Sequence, residues 1–114
     1  FLLLSGIDQS NLEKIIVRNY SKPIEFIYTS TKTIEEVIPY LKKCKFVIGN
    51  DTGFSHLSVA YNKKTFVILG DCPPHTYSNL ILPIDKDDDV KRSIDSIKTI
   101  KLEKVLNYLK NHLI

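Results

Sequence analysis

The sequence of 114 residues contains no methionine. A translated chain begins with one, whereas this chain begins Phe1-Leu2-Leu3-Leu4, already inside an apolar run that suits a strand, so the expectation is a piece of a longer protein. Cysteine is scarce. Cys44 and Cys72 lack the paired spacing of a metal site and support at most one disulfide, so reduced thiols of a cytosolic protein are the better reading. Long apolar runs are also missing. Nothing approaches the ~20 residues needed to span a bilayer, and residues 1–4 are too short for a signal sequence. Internal repeats and linkers are absent, which leaves one small domain or part of one.

What is present is an ordinary globular balance, 43% hydrophobic and 25% charged. The net charge of +3 gathers partly in Lys98, Lys101, Lys104 and Lys110. Such a cluster is compatible with an anionic membrane surface, although a solvated helix face is the more common meaning.

Residues 1–5 read as a buried strand ending at Gly6. Ser10 or Asn11 can cap a helix that places Leu12, Ile15 and Ile16 on one face, and Ser21-Lys22-Pro23 ends it. Residues 24–28 form a second strand, and residues 30–33 a loop and cap. Ile34, Val37, Ile38 and Leu41 sit at helical spacing, with Pro39 predicting a kink or an early end. After Gly70 a loop rich in turn formers, residues 71–79, leads to an apolar run at residues 80–84. Asp87-Asp88-Asp89 reads as solvated acidic residues at a helix start. Leu102, Val105, Leu106, Leu109 and Leu113 then form an apolar helical stripe. Strands alternating with helices at this spacing give an α/β fold, a Rossmann-like parallel sheet with helices on both faces. Ligands of such sheets bind outside the carboxyl ends of the strands, so residues 6–10, 29–32, 50–56 and 71–78 should converge there.

The most informative stretch is residues 45–70, KFVIGNDTGFSHLSVAYNKKTFVILG. Phe46, Val47 and Ile48 suit a strand covered on both faces, and Asn50-Asp51-Thr52-Gly53 interrupts it. Leu57, Val59, Ala60 and Tyr61 follow at helix-compatible spacing before a second buried run, residues 66–69. The unit is strand, tight loop, short helix, strand. Its loop faces a helix N-terminus, where unpaired N–H groups and the positive end of the macrodipole favour a phosphate or carboxylate. Gly53 lacks the Cβ that would hold a ligand off the backbone, Asp51 or Thr52 can cap the helix, and His56 can point towards the same space. The same residues also fit a cap, a turn glycine and a packed histidine with no ligand.

Read as a motif, Asn50-Asp51-Thr52-Gly53-Phe54-Ser55-His56-Leu57, followed by Ala60 and the strand ending at Gly70, resembles the signature of the ADP-heptose:lipopolysaccharide heptosyltransferases, glycosyltransferase family 9. There Asp-Thr-Gly-x-x-His-x-x-x-Ala follows the strand whose end binds the donor diphosphate. An isolated Asp-Thr-Gly would equally suggest an aspartic protease, but the all-β surroundings of that family are absent. The closing Ile97 and Ile100 with their following helix are similar to the family's C-terminal segment.

The resemblance implies that residues 1–114 are most of the C-terminal donor-binding domain of a two-domain GT-B glycosyltransferase, with its first strand and the N-terminal acceptor domain upstream of Phe1. It implies transfer of a heptose or related sugar from a nucleotide sugar, such as ADP-heptose, to a glycan or lipid-linked acceptor of lipopolysaccharide or another surface glycan. The location would be cytoplasmic, at the inner face of the bacterial cytoplasmic membrane. Asp51, Thr52, Gly53 and His56 would hold the donor diphosphate, and Ser10 and Lys32 the donor nucleoside. The catalytic base would lie in the N-terminal domain. No separate cofactor, metal or nucleic-acid partner is expected. A nucleotide-sugar epimerase or a non-catalytic ligand-binding domain of the same fold is the alternative. Two departures stand out: Ser10 occupies a position where the family often has an acidic residue, and Gly70-Asp71-Cys72 replaces its usual Gly-Pro-Thr.

Overall fold

The computed structural model describes residues 2–5, 25–28 and 32–113. They fall in two compact units, Phe1–Tyr40 and Leu41–Ile114. In the first, strand β1 (Leu2–Ser5) pairs in parallel with β2 (Glu25–Tyr28), Leu2 opposite Glu25 and Ser5 opposite Tyr28. Both strands lie where the apolar runs predict them. The expected helix after residue 10, and Ser10 itself, fall outside the described residues.

Helix α1 (Ile34–Lys43) begins with a reciprocal cap. The Glu36 amide donates to Thr33 Oγ1 at 3.3 Å and the Thr33 amide to Glu36 Oε2 at 2.7 Å, so two otherwise orphaned donors are satisfied. Of the two outcomes expected from Pro39, a kink or an early end, the early end does not occur, since the helix runs four residues further to Lys43. The carbonyl that loses its helical donor belongs to exposed Glu35, where water can substitute.

The second unit is built on a three-stranded parallel sheet in the order β3 (Phe46–Asn50), β4 (Lys64–Ile68), β5 (Ile81–Ile84). Phe46 stands opposite Lys64 and Asn50 opposite Ile68, while Thr65 stands opposite Ile81 and Ile68 opposite Ile84. The central strand carries the core. Thr65, Phe66 and Val67 are consecutive and all buried, so both faces of β4 are covered, as a continuous rather than alternating apolar run requires. Val67, Leu69 and Ile81 pack together with Val59 of helix α2 (Gly53–Ala60), which connects β3 to β4.

Two local devices fix that connection. Gly49 lets the first turn of α2 close onto β3: a Cβ there would stand 3.3 Å from Ser55 Oγ, which donates to the Asn50 carbonyl at 2.6 Å. At the other end Asn62 adopts φ 61°, and the amides of Asn62 and Lys63 bond the carbonyls of Val59 and Ser58, at 2.9 and 3.0 Å. That is a Schellman close, with asparagine at the left-handed position.

Beyond β5 the structure departs from two expectations. Asp87, Asp88 and Asp89 are exposed, as read from sequence, but they form a turn instead of starting a helix, with the Val90 amide bonded to the Asp87 carbonyl at 3.0 Å. Regular structure resumes only in a 3₁₀ turn, Ser96–Thr99. Helix α3 (Leu102–Leu113) meets Phe66 through Tyr108 and His112, each edge-on with ring centroids 6.3 Å away. Leu102, Leu106 and Leu113 of the expected apolar stripe are exposed.

Candidate functional site

In a parallel sheet every strand delivers its carboxyl end to the same side, so the loop after β3 and the loop after β4 are neighbours. The first supplies Asp51, Thr52 and the start of α2. The second, residues 69–80, supplies His75 and Tyr77.

Thr52 takes the N-cap position of α2 with extended backbone, φ −138° and ψ 166°. Its carbonyl accepts from the amides of Ser55 and His56 at 3.0 and 3.3 Å. The expectation that the Asp51 or Thr52 side chain caps the helix is not met, because no side chain bonds the N-terminal amides and no acidic residue lies in the first turn. The first amides of the helix therefore have no side-chain acceptor competing for them. A Cβ placed on Gly53 would meet nothing within 4 Å, so the backbone there faces open space.

The Asp51 carboxylate is engaged elsewhere. His56 Nε2 lies 3.1 Å from Asp51 Oδ1, and His75 Nε2 lies 3.0 Å from Oδ2 and 3.2 Å from Oδ1. The two imidazoles meet edge to face, centroids 4.9 Å apart, and Tyr77 stacks on His56 with its hydroxyl 2.6 Å from Nδ1. Burial pushes the Asp51 carboxyl up, but the hydrogen bonds and charge of His75 and then His56 outweigh it, leaving it below its ordinary value. Asp51, His56 and His75 together could hold a metal ion, their ligand atoms all within 4.8 Å of one another.

A second ionic contact braces the far loop. Arg92 donates from Nη2 to Asp85 Oδ2 at 2.6 Å and from Nη1 to Oδ1 at 3.2 Å, and Nη1 also donates to the Cys72 carbonyl at 2.8 Å. The loop that carries His75 is thus tied to the residue after β5. Cys72 is exposed, and the charge of Asp71 above all raises its thiol pKa, so it is not an activated nucleophile.

Of the residues singled out from sequence, Asp51, Thr52, Gly53 and His56 come together in one loop and helix start, as their spacing requires. Lys32 is exposed in the first unit, and Ser10 lies outside the described residues. His75 and Tyr77 were anticipated only as part of a lining loop. The signal for them was two ring-bearing residues among turn formers after a parallel strand. No helix among the described residues is long and apolar enough to cross a membrane.

Comparison with known proteins bears on the family of the chain. Residues 3–110 match the sequence profile described as Glycosyltransferase family 9 (heptosyltransferase). The chain is 31% identical over 87 residues to Lipopolysaccharide heptosyltransferase 1 of Campylobacter coli, an alignment covering 68% of this chain and 25% of that protein. The chain thus spans about a quarter of the length of that relative. No solved structure matches it.

Proposed function

The chain belongs to glycosyltransferase family 9, and we propose that its residues 51–56 seat the donor diphosphate in transfer of a heptose or related sugar to lipopolysaccharide or another surface glycan. The observation that carries this reading is the uncapped start of α2, with open space at Gly53 and His56 one turn further on. A diphosphate there accepts hydrogen bonds from backbone amides and lies at the positive end of the helix dipole.

The reaction follows from that seat. An acceptor hydroxyl attacks the anomeric carbon of the donor as the bond from that carbon to the diphosphate oxygen breaks, inverting the configuration. The electron pair leaves with the diphosphate, and its growing charge falls on the amides at Thr52 and Gly53 and on His56, which Asp51 and Tyr77 orient. The acceptor's proton goes to a base on the acceptor side of the cleft, in the N-terminal domain of a GT-B enzyme. The donor is a nucleotide sugar such as ADP-heptose, and the reaction takes place at the inner face of the cytoplasmic membrane.

Gly53→Val tests the seat. A Cβ at residue 53 meets nothing within 4 Å, so the fold is expected to survive while backbone approach by a phosphate is blocked. Titration of the chain with ADP, followed by amide chemical shifts, is expected to move the resonances of residues 52–56. The variant should keep its far-ultraviolet circular dichroism and lose those shifts. An unchanged ADP titration in the folded variant would remove residues 51–56 from the donor site.

A further inference from the structure

Both ring nitrogens of His56 are already engaged. Nε2 faces Asp51 Oδ1 at 3.1 Å in a partly buried contact, and Nδ1 faces the Tyr77 hydroxyl at 2.6 Å in an exposed one. An imidazole bonds hydrogen through these two atoms alone, so in this arrangement His56 has no position left for a phosphate oxygen. Tyr77 has capacity to spare. Its hydroxyl carries one proton and two lone pairs, and the bond to Nδ1 uses one of the three. Tyr77 is 61% exposed, so a ligand in solution reaches it. It is also held in place. Two residues earlier in the same loop, His75 Nε2 fastens to Asp51 Oδ2 at 3.0 Å, and the Tyr77 ring stacks on His56 at an interplanar angle of 27°.

We propose that Tyr77 is a further donor-binding residue, whose hydroxyl, fixed on His56 Nδ1, passes a hydrogen bond on to an oxygen of the diphosphate. The bonds run in a chain from Asp51 through His56 to Tyr77. The carboxylate accepts from Nε2–H, Nδ1–H donates to the phenolic oxygen, and the phenolic proton turns to the anion. His56 carries both protons in this state, the second taken from solvent. Its positive charge is supported by Asp51 and makes the hydroxyl a stronger donor than a phenol bonded to a neutral group. In the empty site a neutral His56 accepts from the hydroxyl instead, so one bond reverses direction while the heavy atoms stay where they are. The charge of His56 thus reaches the leaving group through the hydroxyl, without giving up either ring contact.

The Tyr77 contact rests on the diphosphate seat, and separate variants test the two. The purified chain is titrated with ADP and with inorganic pyrophosphate, followed by amide chemical shifts. Tyr77→Phe keeps the ring and removes only the hydroxyl, and it should weaken both anions by about tenfold. In a His56→Ala background the hydroxyl has lost its holder, so the same substitution should then change affinity by less than about twofold. A side chain that only shaped the loop would cost the same in both backgrounds. The exposed ring fills no core, and circular dichroism checks each variant. Three results would overturn the proposal: pyrophosphate binding in Tyr77→Phe equal to wild type, tighter binding there, which would make the hydroxyl a stand-in that the anion displaces from Nδ1, or a loss that persists in full without His56. In each of these cases the seat itself still stands if Gly53→Val loses the ADP shifts. No shift at residues 52–56 of the wild-type chain would remove the seat, and the role of Tyr77 with it.

Discussion

At the scale of single residues the site depends on side chains that hold loops, and Arg92 is the clearest of them. Its planar fork grips both oxygens of Asp85 and still reaches the Cys72 carbonyl, which a lysine ammonium cannot reproduce. Arg92→Lys should therefore lower the urea midpoint at neutral pH. The pH dependence has a definite sign. The hydrogen bond from Arg92, first among the causes, holds the folded Asp85 carboxyl below its unfolded value. The stabilisation is complete above the unfolded value and is lost as pH falls through the lower, folded one. The gap between wild type and Arg92→Lys should then shrink on acidification below the ordinary carboxylate range, and a constant gap would assign the stabilisation to packing. Legibility at this scale follows distance along the chain. Asp51, Thr52, Gly53 and His56 form one local pattern and were readable from it. The meeting of His75 with Asp51 depends on β4 lying beside β3, which no local pattern encodes.

At the scale of elements, β4 and α3 bear unequal loads. Phe66 is wholly buried and touches the rings of Phe46, Tyr108 and His112, so it joins the sheet to the last helix. Phe66→Ala is expected to cost about 3–5 kcal/mol, a large share of the stability of a small domain. Leu106→Ala, on the exposed side of α3, should stay within about 0.5 kcal/mol. Equal urea midpoints for the two variants would mean that α3 docks by its leucines and that the aromatic contacts are incidental. Strands β3, β4 and β5 were legible because their apolar runs are short and include β-branched residues. Errors arose where one signal had two outcomes: an apolar period tells that a helix is amphipathic, not which side its neighbour takes, and here Tyr108 and His112 make the contact. Asp87-Asp88-Asp89 misled for a related reason. Acidic residues favour a helix start, but Asp87 pairs instead with Lys104 of α3 at 2.6 Å, and the chain turns to reach it.

At the scale of the whole molecule, the division of labour proposed for this fold has a consequence for activity. Sugar transfer needs a leaving-group seat and a base placed opposite it, and the described residues offer a candidate for the first alone. Asp51 is the carboxylate beside the proposed seat, yet two histidines bond it and its pKa is lowered, which makes it a weaker base than an ordinary carboxylate. A base hydrogen-bonded by the residues around the leaving group is also on the wrong side for an in-line attack. The aligned region amounts to 25% of the related heptosyltransferase, so most of the length over which that protein could place an acceptor has no counterpart here. The 114-residue chain should accordingly bind ADP weakly, through the amides at residues 52–56, and transfer nothing from ADP-heptose to a lipopolysaccharide acceptor. Weak binding is expected because a cleft closed on one side leaves the nucleotide largely solvated, without the desolvation and orientation that a second wall supplies. Mass spectrometry of the acceptor after incubation is the direct measurement. Glycosylated acceptor formed by the purified chain, and lost in Asp51→Asn, would place the base within residues 41–114 and overturn the assignment of donor and acceptor to separate domains.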